Sequence, residues 1–138
     1  MGLVPTTVKL FKARRPDVVA DIRALVHTGA VHLCLPPAVA AALGLEQLEL
    51  REVTLADGRR EDVPYCGPVE ERFGDRRCFT GAMVLGDEPQ LGAIPMEDMD
   101  LVVLPGRQTV VVNPASPHIA TSVAKAGRAA ISTCRAEV

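Results

Sequence analysis

The stretch from Leu25 to Ala30 constrains the fold of this chain most, because two apolar strand residues run directly into a small polar turn. The turn reads His27-Thr28-Gly29-Ala30, and a second apolar run, Val31 to Leu35, follows it. Apolar runs of this length beside a Gly-containing turn predict two strands that meet in a hairpin with an exposed apex. We therefore expect His27 at an accessible strand end.

Short segments in which polar and apolar residues alternate, or in which apolar residues predominate, continue along the chain between turn residues and are typical of strands. The predicted strands are Thr7–Phe11, Val18–Val26, Val31–Leu35, Glu49–Thr54, Glu61–Tyr65, Val69–Phe73, Cys78–Leu85, Leu101–Leu104 and Thr109–Val112. Pro36-Pro37 at the start and Gly44 just past the end favour a short helix over Ala38 to Leu43. We predict an all-β domain over residues 1–114 with the texture of a small barrel. Residues 115–138 are predicted to be a C-terminal tail that forms a weak helix or is disordered.

Length and charge limit the classes of protein to consider. The chain has 138 residues, 48% of them hydrophobic, which suits one domain with a modest core. A net charge of -2 and scattered Arg residues argue against nucleic acid as a partner. The sequence shows no leader pattern or long apolar segment, so we expect a cytoplasmic protein without a membrane partner. The four cysteines lack close pairing, and we expect them to be small buried hydrophobes.

A second hairpin is predicted around Ala56-Asp57-Gly58-Arg59. Polar and apolar residues alternate before this turn and again after it, as in two paired strands. The hairpin, near Thr54 to Glu61, has the form of a flap. Its charged tip, Asp57 to Arg60, could bind an acidic peptide, although charged hairpin tips are more often simply solvated.

The order of these motifs resembles that of the retropepsin-like (clan AA) single-domain aspartic proteases over roughly Val4 to Asn113. The run from Leu25 to Ala30 is similar to the catalytic loop of that family. Gln90-Leu91-Gly92-Ala93-Ile94-Pro95 is similar to the apolar-apolar-Gly motif that packs beside the loop, with Met96 to Met99 as a short helix after it. In this chain His27 stands where the family has its catalytic Asp.

The resemblance implies a small closed β-barrel of the acid-protease type that works as a homodimer, because each subunit supplies one catalytic turn. It implies an aspartic-type endopeptidase that acts on a peptide or protein substrate, with no cofactor and no metal. The catalytic positions it implies are His27, Thr28 and Gly29. The substrate-binding positions it implies are Ala30, Ala56, Asp57, Gly58, Leu91 and Gly92.

The chemistry expected of such a turn depends on the residue at position 27. Two carboxyl groups about 3 Å apart repel one another as anions and share one proton, which gives an acid and a base. A pair of His27 rings is neutral or singly protonated, since two imidazolium charges would repel. We therefore expect ordinary aspartic-protease turnover to be lost or reduced by several orders of magnitude. Asp21 and Asp57 do not lead into a Thr-Gly turn, so neither is expected to replace the missing acid.

The sequence also allows three other functions for this region. A metal site on His27 and His32 is disfavoured, because their spacing does not direct both rings to one point and no further ligands complete a site. A cysteine nucleophile at Cys34, close to His32, is disfavoured by its apolar neighbours. The main alternative function is a non-catalytic dimer that keeps the cleft and binds an extended peptide by strand addition.

Overall fold

The computed structural model describes residues 4–124 and folds them into nine strands and two short helices. In chain order these are β1 (Val4–Lys12), β2 (Arg15–Val26), β3 (Leu33–Leu35), α1 (Pro37–Ala42), β4 (Glu46–Thr54), β5 (Arg60–Phe73), β6 (Arg76–Val84), β7 (Gln90–Leu91), α2 (Ala93–Asp98), β8 (Leu101–Leu104) and β9 (Thr109–Val112). The predicted all-β class with one or two short helices is confirmed.

Seven strands form one sheet in the order β1-β2-β7-β3-β6-β5-β4. Strand β1 also pairs with β5, from Lys9↔Arg72 to Lys12↔Val69, so six of the strands close into a ring and β4 lies outside it. Strands β8 and β9 form a separate two-stranded sheet. The main sheet is therefore a small closed barrel, as the strand texture predicts.

The strands on either side of the His27 turn are not a hairpin, which corrects the sequence-based expectation. Strand β7 lies between β2 and β3, parallel to β2 and antiparallel to β3. The turn opens a gap one strand wide, and the two residues of β7, Gln90 and Leu91, fill it with main-chain hydrogen bonds. A strand supplied from 60 residues further along the chain leaves no local signal in the sequence.

The core consists of apolar side chains that point into the barrel. Val8, Leu10, Leu33, Leu35 and Leu91 are at most 1% exposed. Full burial of a Val or Leu side chain contributes about 1.5–3 kcal/mol. Because three of these residues lie in β3 and β7, next to the His27 turn, the packed core fixes the strand ends from which the turn projects.

The two helices begin where the main chain leaves the sheet. Helix α1 begins at Pro37, one residue before the predicted start, with Gly44 at φ +62° just past its end. Helix α2 begins at Ala93, three residues before the predicted Met96. Its first N–H groups are bound by carbonyls of the His27 turn region, and Pro95 fits the first turn because no N–H is needed there.

Two of the predicted strands are joined into one, and several other strand ends differ from the predicted residues by one to three positions. Glu61–Tyr65 and Val69–Phe73 are parts of a single strand, β5, with a register irregularity between its residues 66 and 69.

The predicted boundary after residue 114 stays a prediction. Ser116 and Thr121 both bond to Asp100, and residues 125–138, with Cys134, lie outside the described residues. No helix in the described part is long and apolar enough to cross a membrane.

Candidate functional site

The turn that carries His27 leaves the barrel at the end of β2. Val26 is buried, whereas His27, Thr28 and Gly29 are exposed. The turn is closed by the Ala30 N–H, which donates to the His27 carbonyl at 2.9 Å. The switch from a buried strand residue to an exposed turn residue presents the His27 side chain at the surface, as the sequence predicts.

Main-chain hydrogen bonds from the end of β7 and the start of α2 hold this turn on both sides, and we call this arrangement the clamp. The His27 N–H donates to the Leu91 carbonyl at 2.9 Å, and the Ala93 N–H donates to the Ala30 carbonyl at 2.9 Å. Leu91 itself is fully buried, so the clamp is anchored in the core. Two residues predicted from distant motifs, Ala30 and Leu91, are therefore brought to one place.

Gly92 lets the two segments approach this closely. Its N–H donates to the His32 carbonyl at 3.1 Å. A Cβ added at Gly92 would lie 2.5 Å from the His32 carbonyl oxygen and 2.6 Å from the Val31 carbonyl carbon, which is closer than real Cβ atoms come. Only glycine therefore fits the position.

The imidazole of His27 folds back over its own turn. A Cβ built on Gly29 would lie 3.2 Å from His27 Cε1 and 3.3 Å from Nε2, so the ring rests against that glycine. The two acids considered as replacements are engaged elsewhere: Asp21 pairs with Lys9 at 3.2 Å, and Asp57 pairs with Arg59 at 2.6 Å. The described structure supplies no carboxyl group to the turn from either residue.

The predicted hairpin turn at residues 56–59 is present at the end of β4. The Gly58 N–H donates to the Leu55 carbonyl, and the Leu55 N–H donates to the Arg59 carbonyl. Gly58 has φ +87°, which favours glycine. The Arg59 N–H also donates to Asp57 at 3.0 Å. Ala56, Asp57 and Gly58 are exposed, and their bonds stay within the hairpin. The structure thus gathers the turn with Leu91 and Gly92 but does not bond these three residues to it.

The alternative nucleophile and metal sites gain no support. The Cys34 thiol lies 3.9 Å from the main-chain carbonyl of His32, not from its ring, and burial raises the pKa of this thiol. The His32 ring meets the Tyr65 ring edge-on. Among residues 4–124, His, Cys, Asp and Glu side chains form no group of three or more that could hold a metal ion.

Two features, only the first of them beside the turn, were missed by sequence reasoning. The first is a cluster of His32, Arg51 and Tyr65, in which the Arg51 guanidinium carbon lies 3.7 Å from the Tyr65 ring centroid. The His32 and Tyr65 rings meet edge-on, with centroids 6.0 Å apart. The three residues come from three separate segments, so only the register of the sheet brings them together.

The second missed feature is the buried carboxyl of Glu71 on β5. It is 0% exposed, and neither of its oxygens has a hydrogen-bond partner within the described part of the chain. Burial, and secondarily the charge of Asp98 on α2, raises its pKa to about 8. The inward alternation of Val69 and Glu71 along β5 is the signal that could have located it.

Comparisons with known proteins agree with the fold. No family model matches the chain, and no curated protein matches it. Among solved structures, an EIAV protease complexed with the inhibitor HBY-793 superposes with a TM-score of 0.56 at 18% identity, covering 75% of this chain and 93% of that one. The solution structure of a Simian Foamy Virus (mac) protease gives a TM-score of 0.41 at 15% identity, covering 67% of this chain and 90% of that one. The first likeness, together with the closed barrel and its two short helices, shows that this chain has the fold of the retropepsin-like proteases.

Proposed function

We propose that this chain is an aspartic-type endopeptidase scaffold that acts as a homodimer, and that His27 deprives it of ordinary turnover. The observation that carries the proposal is the clamped turn. In a retropepsin-like fold, His27 stands exposed just past the end of β2, its N–H donates to the Leu91 carbonyl, and the Gly92 N–H donates to the His32 carbonyl beyond the turn. A scaffold that positions one residue this firmly is suited to catalysis, which requires rigid placement of the reacting groups.

Dimerisation follows from the need for two turns. One chain supplies one such turn, and Thr28 and Gly29 on it are exposed in the single chain. Beside the turn, Val31 is 55% exposed and Ile94 39% exposed, and the Ile94 N–H donates to the Val31 carbonyl at 2.9 Å. We infer that a second copy covers these apolar side chains and that the two Thr28 side chains hydrogen-bond across the two-fold axis.

The loss of turnover follows from the chemistry of imidazole. Hydrolysis of a peptide bond at such a site needs one group to activate water and another to polarise the carbonyl, and two coupled carboxyls meet both needs. A pair of imidazoles supplies neither carboxylate of that coupled pair, and the rings extend farther from the backbone than a carboxylate. Substrate would then meet an intact cleft without the acid–base pair.

The β4–β5 hairpin is proposed as the flap of this cleft, with Ala56, Asp57 and Gly58 at its tip. Its exposed glycine and internally bonded turn support a mobile element that folds over an extended peptide. Ala30, Leu91 and Gly92 are proposed as the floor that such a peptide would contact.

A second candidate function is peptide binding without hydrolysis. It is favoured by the way the His27 ring rests on Gly29, since this packing keeps the turn intact without any carboxylate. Strand β4 also lies at the open edge of the sheet, where an extended peptide can add as a strand.

The test compares cleavage of a peptide library by the chain as it stands, by His27→Asp and by His27→Asn. Asparagine matches the size of aspartate but has no titratable carboxyl group, so this variant separates the effect of side-chain shape from that of acid–base chemistry. We expect only His27→Asp to cleave, with inhibition by a statine-type transition-state mimic, while all three chains dimerise equally in sedimentation equilibrium. If none cleaves but all dimerise and bind peptides, the binding function is correct. Cleavage by the unmodified chain would overturn the argument about His27.

A further inference from the structure

A cluster of three side chains lies between the His27 turn and the β4–β5 hairpin. We call His32, Arg51 and Tyr65 the flap-root cluster. His32 lies just past the turn, and its carbonyl holds Gly92, the residue next to the Leu91 clamp. Arg51 lies on β4 and Tyr65 on β5, on the two strands that carry the hairpin. The cluster therefore adjoins both parts of the proposed cleft.

Tyr65 fixes the position of Arg51. The Tyr65 hydroxyl accepts a hydrogen bond from the Gly81 N–H at 3.1 Å, and a Cβ at Gly81 would lie 2.2 Å from the Tyr65 ring. The absence of a side chain at Gly81 thus creates the seat for the ring. The guanidinium of Arg51 stacks on this immobilised ring at 3.7 Å, so a long flexible side chain is held in one place.

Arg51 keeps part of its hydrogen-bonding capacity free. Its Nε donates to Glu49 Oε1 at 2.5 Å, and its side chain is 37% exposed. The two terminal nitrogens have no hydrogen-bond partner among residues 4–124. A guanidinium held this way presents a flat edge of N–H donors, which matches a carboxylate.

His32 adds no competing charge. Burial, and secondarily the charge of Arg51, lowers the pKa of His32. Its Nδ1 is buried and has no hydrogen-bond partner among the residues that the structure describes. Near neutral pH the cluster therefore presents one cation, Arg51, balanced in part by Glu49.

We propose that Arg51 is a specificity-determining residue that binds an acidic side chain, Asp or Glu, of the peptide in the cleft, with Tyr65 as its positioning residue. The assignment rests on the proposed function, because it takes the hairpin to lie over a bound peptide. Glu49 competes for the same guanidinium and sets the strength of the preference. The substrate class is thus an extended peptide with a carboxylate at one fixed place relative to the scissile bond.

The first experiment measures fluorescein-labelled peptide libraries in which each position is fixed in turn as Asp, Glu, Asn or Gln. Binding is measured on the chain as it stands, and kcat/KM on the His27→Asp background. We expect one position at which the acid is preferred over its amide by about tenfold, the range of a charge-assisted hydrogen bond. Arg51→Gln should abolish that preference, and Arg51→Lys should retain part of it.

Two further variants make the result specific. Glu49→Gln frees the guanidinium and should increase the acid preference. Arg77→Gln removes the same charge from an exposed position on β6, outside the cluster, and should leave the preference unchanged. Circular dichroism and sedimentation confirm that each variant is folded and assembled as its parent.

The outcomes separate this inference from the proposed function. Peptides that are bound or cleaved with no acid preference, or with a preference that survives Arg51→Gln, overturn the role of Arg51 and leave the peptidase scaffold standing. A preference lost equally in Arg77→Gln shows a general charge effect and also overturns it. Failure of every chain to bind or cleave any peptide overturns both.

Discussion

At the scale of single residues, Gly92 has the least freedom to change. A methyl group there would overlap the main chain of Val31 and His32, at 2.5–2.6 Å, and main chain cannot rotate away as a long side chain can. The residues on either side of Gly92 make the hydrogen bonds that hold Ala30 and His27. The geometry of the turn therefore depends on a glycine in another strand.

We predict that Gly92→Ala lowers the free energy of unfolding by about 3 kcal/mol or more, the upper range for overpacking a tightly packed site. The measurement is urea unfolding followed by circular dichroism. Gly106→Ala is the matched control, because a Cβ at Gly106 meets nothing within 4 Å. Equal stability of the two variants would show that the segments can separate without cost.

The buried carboxyl of Glu71 should make the free energy of unfolding depend on pH. Its pKa is about 8 in the folded chain against an ordinary value of 4.5, so between these values the folded state holds a proton that the unfolded state has released. Stability then falls as pH rises through this window, by at most about 1.4 kcal/mol per pH unit, and levels off above about pH 8.

The measurement that checks the role of Glu71 is urea unfolding from pH 5 to pH 8 for the unmodified chain and Glu71→Gln. The glutamine cannot ionise, so this variant should lose the downward slope and gain stability relative to its parent as pH rises. Glu97→Gln removes the same charge from an exposed position on α2 and should keep the slope. A slope that persists in Glu71→Gln would place its origin elsewhere.

At the scale of elements, those with a contiguous sequence motif are predicted, and those that depend on long-range bonds are not. The His27 turn and the hairpin turn at Gly58 are predicted by contiguous turn signals, whereas the Leu91-Gly92 motif is identified by its resemblance to a family motif. The insertion of β7 between β2 and β3, and the start of α2 at Ala93, depend on bonds between distant segments. The flap-root cluster and Glu71 likewise depend on register, which one sequence does not display.

The segment after β9 is a further element that long-range bonds define. Asp100, at φ +54°, accepts hydrogen bonds from the Asn113 side chain at 3.0 Å, from the Ser116 hydroxyl and from the Thr121 N–H at 3.0 Å. The buried Arg76 donates to the Met99 carbonyl at 3.1 Å and to the Ser116 carbonyl. Residues 113–121 are thus tied to the body of the domain.

We predict that Asp100→Asn loosens this segment, while its backbone conformation is kept because asparagine tolerates positive φ. The bonds from Ser116, Asn113 and Thr121 lower the pKa of Asp100 to about 2 from an ordinary 3.8. Their stabilisation is present above pH 3.8 and is lost as pH falls toward about 2. Hydrogen exchange at the Thr121 amide should be faster in the variant at neutral pH. Exchange that matches the unmodified chain would show that Asp100 does not hold the segment.

At the scale of the whole molecule, the proposed site requires the turns of two chains. The clamped turn faces outward, with Thr28 and Gly29 exposed and with Val31 and Ile94 beside it. The barrel core is complete without a partner, because Leu33, Leu35 and Leu91 are buried within the chain. We therefore expect folding to be separable from the proposed assembly, so that a variant can prevent assembly and leave the fold intact.

We predict that Val31→Glu prevents dimerisation without unfolding the chain. Val31 is 55% exposed in the single chain, so the charge is solvated in the monomer but would be desolvated beneath a second copy. Val19→Glu is the matched control, since Val19 is 47% exposed and lies on β2 roughly 26 Å from His27 along the strand. Sedimentation equilibrium should show a monomer for Val31→Glu and a dimer for Val19→Glu, with the same thermal midpoint once dimer dissociation is taken into account. In the His27→Asp background, Val31→Glu should also abolish cleavage. A Val31→Glu chain that still dimerises would place the interface on another face and would remove the two-turn site from which the proposed chemistry follows.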